Sequence, residues 1–178
     1  MHVLICSPLY PPDIESTALH VKELAQRLSA KHSVTVLTYG SYPEHIDGVT
    51  IQAIPKDLPL LQRMTRYTIA LFRISSTADC IYTENGASVE LPILLVALIR
   101  RKKILFHMGD TRSTQAARTH LFRGALQKFV ALLSCDVIHT SPPARPEIIP
   151  FLPLPVQEFE IYNTSWDEYI TLCESRCV

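Results

Sequence analysis

At 178 residues, 47% hydrophobic and formally uncharged, the chain can bury one sizeable core but is short for two full domains. The balanced charge leaves no basic field for nucleic acid and no acidic tail. The longest apolar run, Leu91–Ile99, contains Pro92 and falls far below the roughly 20 residues of a membrane-crossing helix.

The chain opens with a short apolar run, His2–Ser7, whose β-branched Val3 and Ile5 suit a strand buried on both faces. Pro8, Pro11 and Pro12 then force a loop. From Thr17 a helix is expected, with Ala18, Val21, Leu24, Ala25 and Leu28 on one stripe and Ser16 or Thr17 capping its start. Ser33–Thr38 reads as a second strand and Val49–Ile54 as a third. From Leu60, the residues Met64, Tyr67, Leu71 and Ile74 form a helical stripe. Asp79–Thr83 is the fourth predicted strand, followed by a Glu84–Ala87 loop and a helix capped by Ser88, with Pro92 tolerated near its start. Lys103–His107 is the fifth. A loop through Met108, Gly109 and Asp110 leads to one long helix from about Ala116 to Ser134, its stripe Phe122, Ala125, Leu126, Phe129, Val130 and Leu133. Asp136–Thr140 is the sixth strand.

Six of the thirteen prolines fall between Pro142 and Pro155, which excludes a regular helix there and reads as a linker or strap. Glu158–Tyr162 is a candidate short strand and Asp167–Cys177 a weak terminal helix. The strand–helix alternation predicts a Rossmann-like α/β domain, three layers α/β/α around a mostly parallel sheet, over residues 1–141. Residues 142–178 follow as a proline-rich strap and a short terminal segment.

Ligands in such sheets bind at the carboxyl ends of the strands, which singles out three loops. Asp13, Glu15 and Ser16 stand at the first helix amino terminus, where free amides favour an anion such as a diphosphate; the alternative is an ordinary connector capped by Asp13 or Ser16. Glu84 and Asn85 follow the fourth strand and either meet ligand hydroxyls or make a solvated turn. His107 ends the fifth strand, placed to donate to a hydroxyl or phosphate oxygen or to serve a structural role. Asp110 beside it orients the imidazole or, by preference, caps the next helix. Arg112, with Arg118 and Arg123, either faces an anionic acceptor or a membrane surface or is a wet helix face. Five cysteines with no CxxC pair, and no leader with a basic then apolar pattern, suggest a reduced, cytoplasmic protein. Cys173 and Cys177 share a helical face but lack the partners of a zinc site, and no metal is expected. The five glycines assemble neither GxGxxG nor a P-loop; GxSxG and HExxH are absent too.

Ser7-Pro8-Leu9-Tyr10-Pro11-Pro12-Asp13-Ile14, followed by Ala18-Leu19-His20-Val21-Lys22-Glu23-Leu24-Ala25-Gln26-Arg27-Leu28 and the strand Lys31–Thr38, resembles the amino terminus of family 4 glycosyltransferases of GT-B fold. The match is specific over forty residues and looser to about residue 141. The family's loop reads P-x-x-P-P-x-x-G-G, and its paired glycines are Glu15 and Ser16 here. His107 stands where the family commonly has a histidine step. The resemblance implies the acceptor-side half of a nucleotide-sugar-dependent, retaining transferase, with the sugar nucleotide as co-substrate and no other cofactor. A separate donor-binding domain or subunit would complete it; the acceptor would be a sugar or lipid-linked molecule, with peripheral contact to the inner face of the membrane. The alternatives are a non-catalytic binding or adaptor module derived from such a domain and, from the alternation alone, a flavodoxin-like regulatory domain.

Overall fold

The computed structural model describes residues 1–139, 157–160 and 165–177. Among the described residues seven strands form a single sheet: β1 (His2–Cys6), β2 (Ser33–Tyr39), β3 (Val49–Ile54), β4 (Cys80–Glu84), β5 (Lys103–Met108), β6 (Asp136–His139) and β7 (Gln157–Glu160). Their order is β3-β2-β1-β4-β5-β6-β7, and every neighbouring pair is parallel. The order reverses between β1 and β4, whose carboxyl ends flank the crevice where open α/β sheets bind ligands. Most of the proline-rich strap and residues 161–164 lie outside the described residues, but β7 extends the same sheet.

Helices cover both faces. On one side α2 (Leu60–Ile74), α3 (Ala87–Arg100) and α5 (Leu121–Leu133) pack Tyr67, Leu71, Ile93, Val96 and Val130 against Leu4, Ile81, Ile104 and Phe106. On the other, α1 (Ser16–Ser29) and α6 (Trp166–Cys177) pack Val21, Leu24, Leu28, Tyr169, Ile170 and Cys173 against Val3, Ile5, Tyr82 and Leu105. Burial on both faces explains why the strands read as near-continuous apolar runs.

Several local expectations are corrected. The cap of α1 is Glu15, without a side-chain hydrogen bond, so neither Ser16 nor Thr17 serves. In α3 the cap is Gly86, and Glu90 reaches back from the helix to accept from the Gly86 amide at 3.0 Å. Pro92 lies beyond the first turn and cannot bond the Ser88 carbonyl. The Tyr39 hydroxyl takes that place, donating to Ser88 at 2.8 Å. The single long helix after β5 is two: α4 (Thr111–Thr119) and α5 break at His120, whose backbone is extended. The α5 stripe is rotated from the expected one. Gly124, Leu126, Gln127, Val130 and Ala131 are buried, whereas Phe122 and Phe129 are exposed. Cys6, Cys135 and Cys173 are free thiols. Among the described residues no helix is long and apolar enough to cross a membrane.

Candidate functional site

Strand register builds the centre of the site. Tyr82 and Glu84 are two residues apart on β4, so they face the same side. Glu84 lies beside His107 of β5, and Tyr82 beside Leu105. Parallel pairing therefore presses Glu84 against His107, and Nδ1 of the imidazole lies 2.8 Å from both carboxylate oxygens. Glu84 is wholly buried and His107 nearly so. Gly109 makes room for the ring: a Cβ there would stand 2.5 Å from His107 Cε1.

The helices of that face supply the rest. His20 of α1 stacks on His107 with ring centroids 4.8 Å apart, and Trp166 of α6 stacks on His20 at 5.1 Å. The Tyr82 hydroxyl donates to Glu84 Oε1 at 3.0 Å and lies 2.8 Å from the Tyr169 hydroxyl. His20 Nε2 is 3.3 Å from Tyr82 Oη. With Tyr82 donating to Glu84, this network assigns Tyr169 and His20 as donors to Tyr82. Burial pushes the His20 imidazole down to about 4, the neighbouring His107 adding to the effect and Glu84 opposing it. Burial likewise holds the Tyr82 and Tyr169 hydroxyls well above the usual phenol range, with Glu84 reinforcing it. At neutral pH, His20 is therefore an uncharged imidazole and both tyrosines are intact donors.

The other sequence-selected residues surround this centre without all joining it. Asn85 is buried and clips two loops together, its Nδ2 donating to the Asp110 carbonyl and its Oδ1 accepting from the Asp110 amide, each at 2.8 Å. Asp110 caps α4, accepting from the Arg112 amide at 2.9 Å and the Ser113 hydroxyl at 2.6 Å. The Arg112 side chain is exposed. Glu15 and Ser16 are exposed at the start of α1.

Asp13 belongs to a second feature, an open cleft of about 170 Å³ at the carboxyl ends of β1, β2 and β3. Its walls include Tyr10, Asp13, Thr38, Tyr39, Tyr42 and Lys56. Lys56 Nζ donates to both Asp13 oxygens at 2.7 and 2.6 Å. Two of the lining residues are buried with orphaned hydroxyls: Tyr10 Oη and Thr38 Oγ1 have no hydrogen-bond partner among the described residues. Such groups are uncommon in a folded interior.

Sequence reasoning missed His20, Tyr82, Trp166 and Tyr169. His20 sits beside Val21 and one turn before Leu24, at the margin of the buried stripe, the one signal that pointed inward. Nothing in the sequence announced that α6 would return to β5.

No protein-family model and no curated protein matches the sequence. Solved structures share its fold. A sucrose-phosphate synthase structure from Thermosynechococcus elongatus superposes with a TM-score of 0.64 at 15% identity, over 98% of this chain and 96% of that one. A Listeria monocytogenes protein assigned as a UDP-N-acetylglucosamine 2-epimerase superposes at 0.53 with 11% identity, over 81% of this chain. That match spans only 40% of the epimerase's length. The fold is thus the Rossmann-like half of a GT-B architecture.

Proposed function

We propose that this chain is the acceptor-side half of a nucleotide-sugar-dependent glycosyltransferase that works with a separate donor-binding half. The observation that carries the reading is the open cleft beside the sheet's switch point, with tyrosine walls and the Asp13–Lys56 pair. Aromatic walls with a few fixed polar groups suit a sugar, whose ring presents both apolar C–H faces and hydroxyls. The names of both structural neighbours support it: one is a synthase of a sugar phosphate, the other acts on a nucleotide sugar. The amino terminus of α1 lies on the same edge, and its free amides suit a donor phosphate. Retaining transfer, peripheral membrane contact and a cytoplasmic location belong to this proposal. In it, Asp13 and Lys56 orient acceptor hydroxyls, His107 is fixed by Glu84, and Arg112 meets anionic groups from the α4 side.

One observation favours a second reading, a binding module without chemistry. Glu15 is exposed at the very amino terminus where a phosphate would sit, and two like charges ~4 Å apart repel by about 1 kcal/mol even in water. The deciding experiment pairs calorimetric titration with UDP-hexoses and a pull-down of the chain from its native extract. Replacing Glu15 and Ser16 by glycine should raise nucleotide affinity, and the pull-down should return a second Rossmann-like protein whose addition restores sugar transfer. Recovery of the chain alone, with no nucleotide binding before or after the double substitution, would defeat the transferase reading.

A further inference from the structure

The buried Glu84 carboxylate is met by unusual company. Among the described residues, two groups approach it as candidate cations within 4.0 Å and both are imidazoles, His107 at 2.8 Å and His20 at 4.0 Å. A fully buried carboxylate is expensive unless strongly compensated, and here nitrogen, oxygen and nitrogen from α1, β4 and β5 lie within 4.8 Å of one another. Ligand atoms ~2.1 Å from a tetrahedral ion stand roughly 3.4 Å apart. The spacings to Glu84, 2.8 and 4.0 Å, bracket that value, and with all three atoms within 4.8 Å of one another rotation of the two rings closes the set.

We propose that His20, Glu84 and His107 form a binding site for a divalent transition-metal ion of the zinc class. Two imidazoles and one carboxylate are a donor set suited to such ions, and they leave a coordination position open. The surroundings resemble the support that metal ligands require. Tyr82 donates to Glu84 Oε1, Tyr169 bonds Tyr82 at 2.8 Å, and the His20 ring stacks with both His107 and Trp166. His20 keeps 21% of its side chain exposed, which provides an entry path. Proton balance is simple. His107 takes the tautomer protonated on Nε2 and His20 the one protonated on Nδ1, so both rings stay neutral and each ligand nitrogen offers a lone pair. The site does not depend on the transferase reading.

The test uses the full chain stripped with a chelator and titrated with Co²⁺, whose visible spectrum reports its coordination. One equivalent should bind with the intense bands of a four- or five-coordinate ion, and Zn²⁺ should displace it. His20→Ala and Glu84→Gln should each weaken binding at least tenfold, while His45→Ala, on the exposed surface, leaves it unchanged. If either site variant fails to fold, the wild type decides: nitrogen-detected NMR with Zn²⁺ should perturb two of the seven imidazoles, stacked on each other, and spare the rest. No saturable binding at millimolar Co²⁺, equal binding by both folded site variants, or perturbation of other histidines would each overturn the proposal.

Discussion

Glu90 offers a direct test of how this fold sets a charge. It is 3% exposed, in the first turns of α3, with Oε1 bound to the Gly86 amide. Burial raises its carboxyl from 4.5 to about 7, a rise held in check by the Gly86 hydrogen bond and the Arg123 charge and aided slightly by Asp110. The folded state therefore holds a proton that the unfolded chain gives up. The resulting stabilisation is complete below the unfolded value of 4.5 and is lost as pH rises through about 7. The displacement corresponds to roughly 3 kcal/mol. Glu90→Gln removes the titration and keeps an oxygen to accept from Gly86. Urea denaturation of both proteins with chelator present should show nearly equal stability near pH 4.5; near pH 8 the variant should be more stable by about 1–3 kcal/mol. Taking the difference cancels His20, which runs the other way: its depressed pKa gives stability present above 6.5 and lost as pH falls toward 4. If the difference between variant and wild type is the same at both pH values, Glu90 is not buried and protonated in this way.

Other outcomes follow from the same geometry. Gly109→Ala drives a methyl to 2.5 Å from a ring atom of the buried His107; it should cost about 1–3 kcal/mol in urea unfolding, as overpacking does. Asn85→Ala severs both bonds to the half-buried Asp110 main chain, and it should lose about 1 kcal/mol. Faster amide exchange at Asp110 would show where. Trp166→Ala uncovers His20, so its pKa should climb from about 4 toward 6.5, readable by NMR titration; an unchanged value would mean that α6 does not cover it.

Periodicity and turn chemistry already contained the order of the elements. Short β-branched runs bounded by proline and glycine placed β1 to β6 within a residue or two, because local sterics and double-sided burial act on adjacent residues. The same logic placed Glu84 and His107 at the carboxyl edge, and Asp110 as a cap. It failed where the deciding partner is distant. The kink at His120, the rotated face of α5 and the reassignment of the Ser88 carbonyl to Tyr39 depend on packing against other elements, which no local window contains. The site itself shows the division most sharply. Register between β4 and β5 joined Glu84 to His107 across 23 residues, and α6 brought Tyr169 to Tyr82 across 87. Sequence alone determined which strands would exist and which edge would carry the chemistry. Only tertiary structure decided that a histidine from the first helix and two aromatics from the last would close over a buried carboxylate, because contacts of that range are selected by the packing of the whole sheet.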